Sequence, residues 1–288
     1  FLNMGSFYAP SQSKVCHHPS FAFMFLWCSS HFHWQGLIIK TVLQTLVFLI
    51  LFTAVQWTLE ADMGKEEMRL FENTYVTLDK VWDRSTNTFF EPYNPSLEEQ
   101  IKELEKLREK TGLINTPPST VAVIDTGILS NHPLLRDKIA ESKDFTGENN
   151  PEDTIGHGTL VALILVKTNP NVRILNIKVM DKKRKIEEKW VIEGIRYAIQ
   201  KKALIINLSL GYSDSGCDEH PQLRQAVKEA VDENIIVCVA GEARCPGEVE
   251  GVIRVGGLTS KGVIPTPLPP DVVAPGEFYM RPMKDYQP

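Results

Sequence analysis

Asp125 and His157 are the residues of this chain whose types and spacing best suit chemistry. Asp125 ends the run Val121-Ala122-Val123-Ile124-Asp125-Thr126-Gly127, and His157 lies 32 residues on in Gly156-His157-Gly158-Thr159-Leu160-Val161-Ala162. A carboxylate can hold an imidazole in one tautomer and stabilise its protonated form, and the imidazole can then take a proton from a hydroxyl. One chain order for such a relay is Asp, then His, then Ser. The first two members are present. Alone, Asp125 reads equally well as a turn carboxylate, and a lone His157 reads as structural. Together, at this spacing and between two glycines that let backbone approach closely, they are a stronger signal than either part.

The elements that must position them follow a pattern. Val121–Asp125 reads as a buried strand, as do Arg173–Met180, Leu204–Leu210, Ile235–Ala240 and Val252–Val255. Between them lie helices, one with Val191, Ile195, Ala198 and Ile199 on one face and one with Leu223, Ala226, Val227, Ala230 and Val231. His157 opens a third, more apolar helix. Near-continuous apolar strands alternating with helices imply an α/β fold with a mainly parallel sheet covered on both faces. Sites in such sheets form at the carboxyl ends of strands, where Asp125 stands.

Before that domain the chain changes character. Residues 1–59 are rich in Phe, Trp, His and Leu, with Lys14 and Lys40 as their only basic residues. Residues 41–59 carry no charge, and Trp34 and Trp57 lie near the ends of that stretch. A membrane anchor, a cleaved signal and a buried core helix all fit the segment. The two lysines before it and Glu60, Asp62, Glu66 and Glu67 after it place the C-terminal part outside the cytoplasm, membrane-anchored or secreted. Residues 60–119 form a spacer or pro-segment. Ser96-Leu97-Glu98-Glu99 is a capping box opening a helix over 96–111, with Leu97, Ile101, Leu104 and Leu107 as its stripe. The plainer reading of that helix is a solvated element packed on the next domain. Pro117-Pro118 mark a linker, and the compact domain spans 120–288.

The bulk composition excludes more than it assigns. Hydrophobic residues make up 43% and charged residues 23%, ordinary for a globular protein, and a net charge of −5 gives no footprint for nucleic acid. None of the five cysteines forms a C-x-x-C pair, so a structural zinc site is not indicated. Cys217 and Cys245 both sit in loops after strands and can pair in an oxidising compartment, while Cys238, inside a strand, reads as a buried thiol.

The stretch 121–276 resembles the subtilisin-like serine peptidases, the subtilases. Val121–Gly127 resembles the strand and turn of the triad aspartate, and Ser130-Asn131-His132-Pro133 the segment after it. Gly156–Ala162 resembles the histidine motif. Ile206-Asn207-Leu208-Ser209-Leu210-Gly211 resembles the strand lining the substrate cleft, and Val272-Val273-Ala274-Pro275-Gly276 the segment before the nucleophile motif. The resemblance implies endopeptide hydrolysis by an Asp-His-Ser triad, with Asp125 and His157 as its first two members. Ser209, Leu210 and Gly211 would bind an extended peptide or protein substrate as an added strand.

It also implies features that this sequence alters. The family's nucleophile lies in a Gly-Thr-Ser run past Ala-Pro-Gly, but none of the residues after Gly276 is a serine, and Ser260 aligns with a surface turn. The chain is therefore expected to stop before the nucleophile or to have lost it, and to lack peptidase activity by itself. Glu242, in Val239-Ala240-Gly241-Glu242, stands at the oxyanion-hole position in place of an amide donor. Only Thr168-Asn169-Pro170-Asn171 remains where many members have a calcium loop, and Leu134 replaces an aspartate used for that ion, so no metal and no cofactor is expected. Two rival readings follow. One is a non-catalytic peptide-binding module, favoured by the missing serine and by Glu242. The other is a flap-type aspartic peptidase, suggested by Asp125-Thr126-Gly127 but opposed by the helices that follow.

Overall fold

The computed structural model describes residues 69–70, 77–111, 118–276 and 278–283. The strongly apolar stretch 41–59 lies outside them, and among the described residues no helix is long and apolar enough to cross a membrane.

β4 (Thr120–Asp125) shows why the sheet is central. Val121 and Val123 face one side and Ala122 and Ile124 the other, and all four are buried. A strand with both faces apolar must be covered twice, and period-2 alternation sends its side chains into two separate cores. On one face lie α4 (Glu188–Gln200) and α5 (Pro221–Asp232), through Val191, Ile195, Ala198, Leu223, Ala226, Val227 and Ala230. On the other lies α3 (His157–Thr168), which is apolar all round and almost wholly buried.

The remaining strands of this sheet are β5 (Ile139–Asp144), β6 (Arg173–Lys178), β7 (Ile205–Leu208), β9 (Ile236–Ala240), β10 (Ile253–Thr259), β11 (Gly262–Val263) and β12 (Val272–Pro275). Their order is β11-β10-β9-β7-β4-β6-β5, with β12 also paired to β10. Every pairing is parallel except the β10–β11 hairpin. The carboxyl ends of β4, β7 and β9 therefore lie side by side.

The described part of 60–119 is built into the same core. α1 (Leu78–Val81) and α2 (Pro95–Thr111) deliver Val81 and Leu97, both fully buried, to the cluster around α3. Between them, β2 (Trp82–Asp83) and β3 (Thr88–Tyr93) form a small antiparallel sheet whose third strand is β13 (Tyr279–Pro282), from the far end of the chain. His132 fixes this layer from below. It is fully buried, its Nε2 lies 3.1 Å from the Phe90 carbonyl, and burial pushes its pKa down to about 4. The capping box is not what starts α2. The helix begins one residue earlier at Pro95, and the Asn94 side chain accepts the Leu97 N–H at 3.0 Å. Asn94 is thus the cap and Pro95 the first helical residue, where its missing N–H costs nothing.

Candidate active site

Asp125 leaves the sheet at the carboxyl end of β4, and His157 is the first residue of α3. His157 Nδ1 lies 2.8 Å from Asp125 Oδ1, with the two side chains 0% and 1% exposed. The same Oδ1 accepts the Thr126 N–H at 2.7 Å, which fixes the carboxylate plane. The glycines flanking His157 have separate reasons. A Cβ at Gly158 would lie 2.2 Å from the Gly127 carbonyl and 3.1 Å from Asp125 Oδ1, so only glycine lets the helix start approach the aspartate this closely. Gly156 has φ of +113° and packs against Thr77, a combination that excludes a side chain twice over.

A helix start buried this deeply must satisfy its free N–H groups. Gly156 caps nothing with a side chain. Asp153 does so from outside the helix. It accepts the N–H groups of Ile155, Gly156 and Thr159 at 2.8–3.0 Å and the Thr159 hydroxyl at 2.6 Å. Its Oδ1 also accepts the Thr126 hydroxyl at 2.9 Å, and Thr126 Oγ1 in turn accepts the Gly158 N–H at 2.8 Å. Asp153 therefore locks the residue after Asp125 to the residues around His157. Burial pushes its carboxyl up, against the pull of its bonds from Thr159, Gly156 and Ile155. Lys178, in register with Asp125 on β6, is also fully buried. It donates to the Glu152 carbonyl at 3.0 Å and the Thr126 carbonyl at 3.3 Å, closing the same turn from the other side. Neither Asp153 nor Lys178 stands out in the sequence. An acidic residue four positions before the histidine was the available signal.

Ser209, Leu210 and Gly211 follow β7, and the last two form β8 (Leu210–Gly211). β8 is paired antiparallel with β1 (Arg69–Leu70), in the register Leu70 to Leu210 and Arg69 to Gly211. Arg69–Leu70 thus lie along this edge, and Thr77 packs against Gly156, next to His157. Glu242 follows β9, one strand further along. It is 5% exposed, its Oε1 has no hydrogen-bond partner, and burial pushes its pKa up to about 7. The adjoining Ala243 packs on Gly211, where a Cβ would lie 2.7 Å from its own. The structure thus brings Asp125 and His157 into contact, while Ser209–Gly211 follow β7, with Leu210–Gly211 in a separate two-stranded sheet with β1, and Glu242 follows β9. Cys217 and Cys245 are joined in a disulfide that ties the loop after β8 to the loop after β9, and Cys238 is a buried free thiol.

Comparison with known proteins agrees with this layout. The subtilase family, peptidase S8, matches residues 118–286. The intracellular serine protease of Paenibacillus polymyxa is 38% identical over 163 residues, 48% of this chain and 49% of that protein. The major intracellular serine protease of Bacillus subtilis is 32% identical over 197 residues, 56% of this chain and 60% of that protein. The human membrane-bound transcription factor site-1 protease is 30% identical over 152 residues, 48% of this chain but 14% of that protein. The chain spans about half the length of the first two relatives. With its parallel sheet, its aspartate at a strand end and its histidine at a helix start, the chain belongs to the subtilase family.

Proposed function

We propose that this domain binds protein or peptide substrates as an added strand on Leu210–Gly211 and supplies the Asp125–His157 half of a serine endopeptidase triad. In the tautomer whose Nδ1–H donates to Asp125, His157 would use Nε2 as the base. His157 would take the proton of a serine hydroxyl as that oxygen attacks the scissile carbonyl, then return it to the leaving amine. Asp125 would hold the ring and stabilise the imidazolium.

The observation that carries the reading is the antiparallel pairing of Arg69–Leu70 with Leu210–Gly211. The pairing of an extended segment with that edge supports the reading, because an extended peptide would use the same mode. The Cys217–Cys245 disulfide supports an oxidising, extracytoplasmic setting for the domain.

Amide exchange at Leu210 and Gly211 tests the reading. An extended peptide added to a Leu70→Pro variant, whose own strand cannot pair fully, should restore protection at both amides. Binding that leaves those amides unprotected would remove the proposed cleft, and any peptide turnover that survives His157→Ala would remove the proposed base.

A further inference from the structure

The turn between β6 and α4 carries Lys182-Lys183-Arg184-Lys185, a run of consecutive basic residues, all exposed, in a chain whose net charge is −5. The turn is held in shape by its own backbone. Met180 bridges Ile186 across its base. Asp181 N–H donates to the Lys185 carbonyl at 3.0 Å, and Asp181 Oδ1 accepts the N–H groups of Lys183 and Lys185 at 2.8 and 2.9 Å. The neighbouring carboxylates are already shared. Glu187 lies 2.7 Å from Lys185 and 2.8 Å from Lys189, and Glu148 lies 3.9 Å from Lys182 and 3.8 Å from the buried Lys178. Glu187 and Glu148 thus each serve two lysines, while Lys183 and Arg184 add further positive charge at the tip. Like charges held in one turn repel, and an opposite charge arriving from solvent relieves that repulsion.

A run of charge is most often a solvated face. The place of this one separates it from that case, because both stems of the turn are tied to the proposed site. On the β6 side, Val179 N–H donates to the Asp125 carbonyl at 2.9 Å. On the α4 side, Glu188 accepts the Tyr212 hydroxyl at 3.0 Å, and Tyr212 directly follows Leu210–Gly211.

We propose that this turn selects acidic peptides, its cations attracting the Asp or Glu side chains of a segment paired with Leu210–Gly211. The proposal rests on the peptide-edge reading above and names its substrate class. Charge on the turn steers such a peptide and rejects basic ones, while the backbone pairing holds it. Lysine side chains are long and flexible, so the selection is for negative charge along the segment rather than for one residue at one position.

The test titrates two extended peptides of equal length, near neutral pH, into the full chain and its Leu70→Pro variant. One peptide carries Asp and Glu; the other carries Asn and Gln at the same places. Affinity is read by calorimetry, and amide exchange at Leu210 and Gly211 is followed for both. The acidic peptide should bind about three- to tenfold tighter in about 20 mM salt, and the difference should shrink in about 300 mM salt. Lys182→Gln combined with Lys183→Gln, both at exposed positions, should remove most of the preference and leave the neutral peptide's affinity unchanged. Equal affinities, a preference insensitive to salt, or a preference that survives the double substitution, with Leu210 and Gly211 protected by both peptides, would overturn the proposal and leave the peptide-edge reading in place. If neither peptide protects those amides, the peptide-edge reading itself fails and the proposed selectivity falls with it.

Discussion

Two histidine relays occur in this protein, and by distance alone the second is the more complete. In the first, His157 Nδ1 meets Asp125 Oδ1 at 2.8 Å. In the second, His220 Nδ1 meets Glu188 Oε2 at 2.8 Å and His220 Nε2 meets Ser215 Oγ at 2.7 Å, an acid, a histidine and a serine in line. Their surroundings separate them. The first lies at the carboxyl edge of a parallel sheet, beside a strand edge that already holds an extended segment. The second joins Ser215 and His220, in the loop between β8 and α5, to Glu188 at the start of α4, its imidazole stacked on Tyr212 at 3.5 Å, with the Tyr212 hydroxyl also on Glu188. The backbone N–H groups next to Ser215 are taken. Gly216 donates to Glu219 at 3.3 Å and Cys217 to Glu248 at 2.8 Å, so the amides that could hold an oxyanion hold the protein's own carboxylates. Ser215 is 4% exposed. A relay needs donors for the charge it creates, and the amides beside Ser215 are already engaged. It serves the loop that carries Cys217.

The largest expected effect breaks the first relay from behind. Asp153→Ala leaves the Thr126 and Thr159 hydroxyls and the helix-start N–H groups without this acceptor, in a buried site. The cost should be about 3–5 kcal/mol in urea unfolding, as for other buried charged acceptors removed from their partners. Glu188→Gln, at a half-exposed position of the second relay, should cost about 1 kcal/mol or less. Equal costs would mean that both relays are structural in the same sense.

Next in size is the covalent tie of the second region. The Cys217–Cys245 bond spans 28 residues, and closing a loop of that length in the unfolded chain should stabilise the protein by about 3–4 kcal/mol. Reduction should lower the unfolding midpoint accordingly while leaving the His157 and Asp125 resonances in place. A disturbance of His157 on reduction would show that the two regions are coupled through β8.

Glu242 gives an effect of similar size that depends on pH. Its folded pKa is raised, so its contribution to stability is fully present below the ordinary carboxyl value of 4.5 and is lost as pH rises to about 7. At pH 8 the loss should be about 3 kcal/mol, and Glu242→Gln should recover most of it. His132 works in the opposite direction. Its folded pKa is depressed to about 4, so its contribution is present above 6.5 and lost as pH falls toward 4. In the natural sequence the two slopes largely cancel between these values. Glu242→Gln should unmask the rising one, which urea midpoints measured across pH 4–8 would register.

The sheet was legible because its central strands are apolar on both faces and its helices keep one buried stripe. Asp125 and His157 were legible because glycines and an apolar strand surround them. The parts that escaped have no periodic signature. β5, Ile-Ala-Glu-Ser-Lys-Asp, is exposed along most of its length and becomes a strand only through its ladder to β6. Lys178 reads as a solvated end of an apolar strand, yet it is fully buried, donating to the carbonyls of Thr126 and Glu152. Asp153 acts through hydrogen bonds to Thr126 and to the start of α3, which composition and spacing do not reveal. The mixed sequence before α2 could not be divided into elements, since its strands depend on pairing with residues 279–282.

The smallest expected effect bears most directly on the comparison. Ser215→Ala removes one hydrogen bond to His220 Nε2 from a relay that Glu188 still holds at Nδ1. The expected cost is about 1 kcal/mol in urea unfolding. A serine-reactive phosphonate should leave Ser215 unmodified, because attack would place a negative oxygen beside Glu219 and Glu248 and would have to displace the bonds these make to Gly216 and Cys217. Labelling at Ser215 that vanishes in His220→Ala would reverse the argument. The second relay would then be a working nucleophile, and the carboxylates on its backbone donors would have to move aside when a substrate binds.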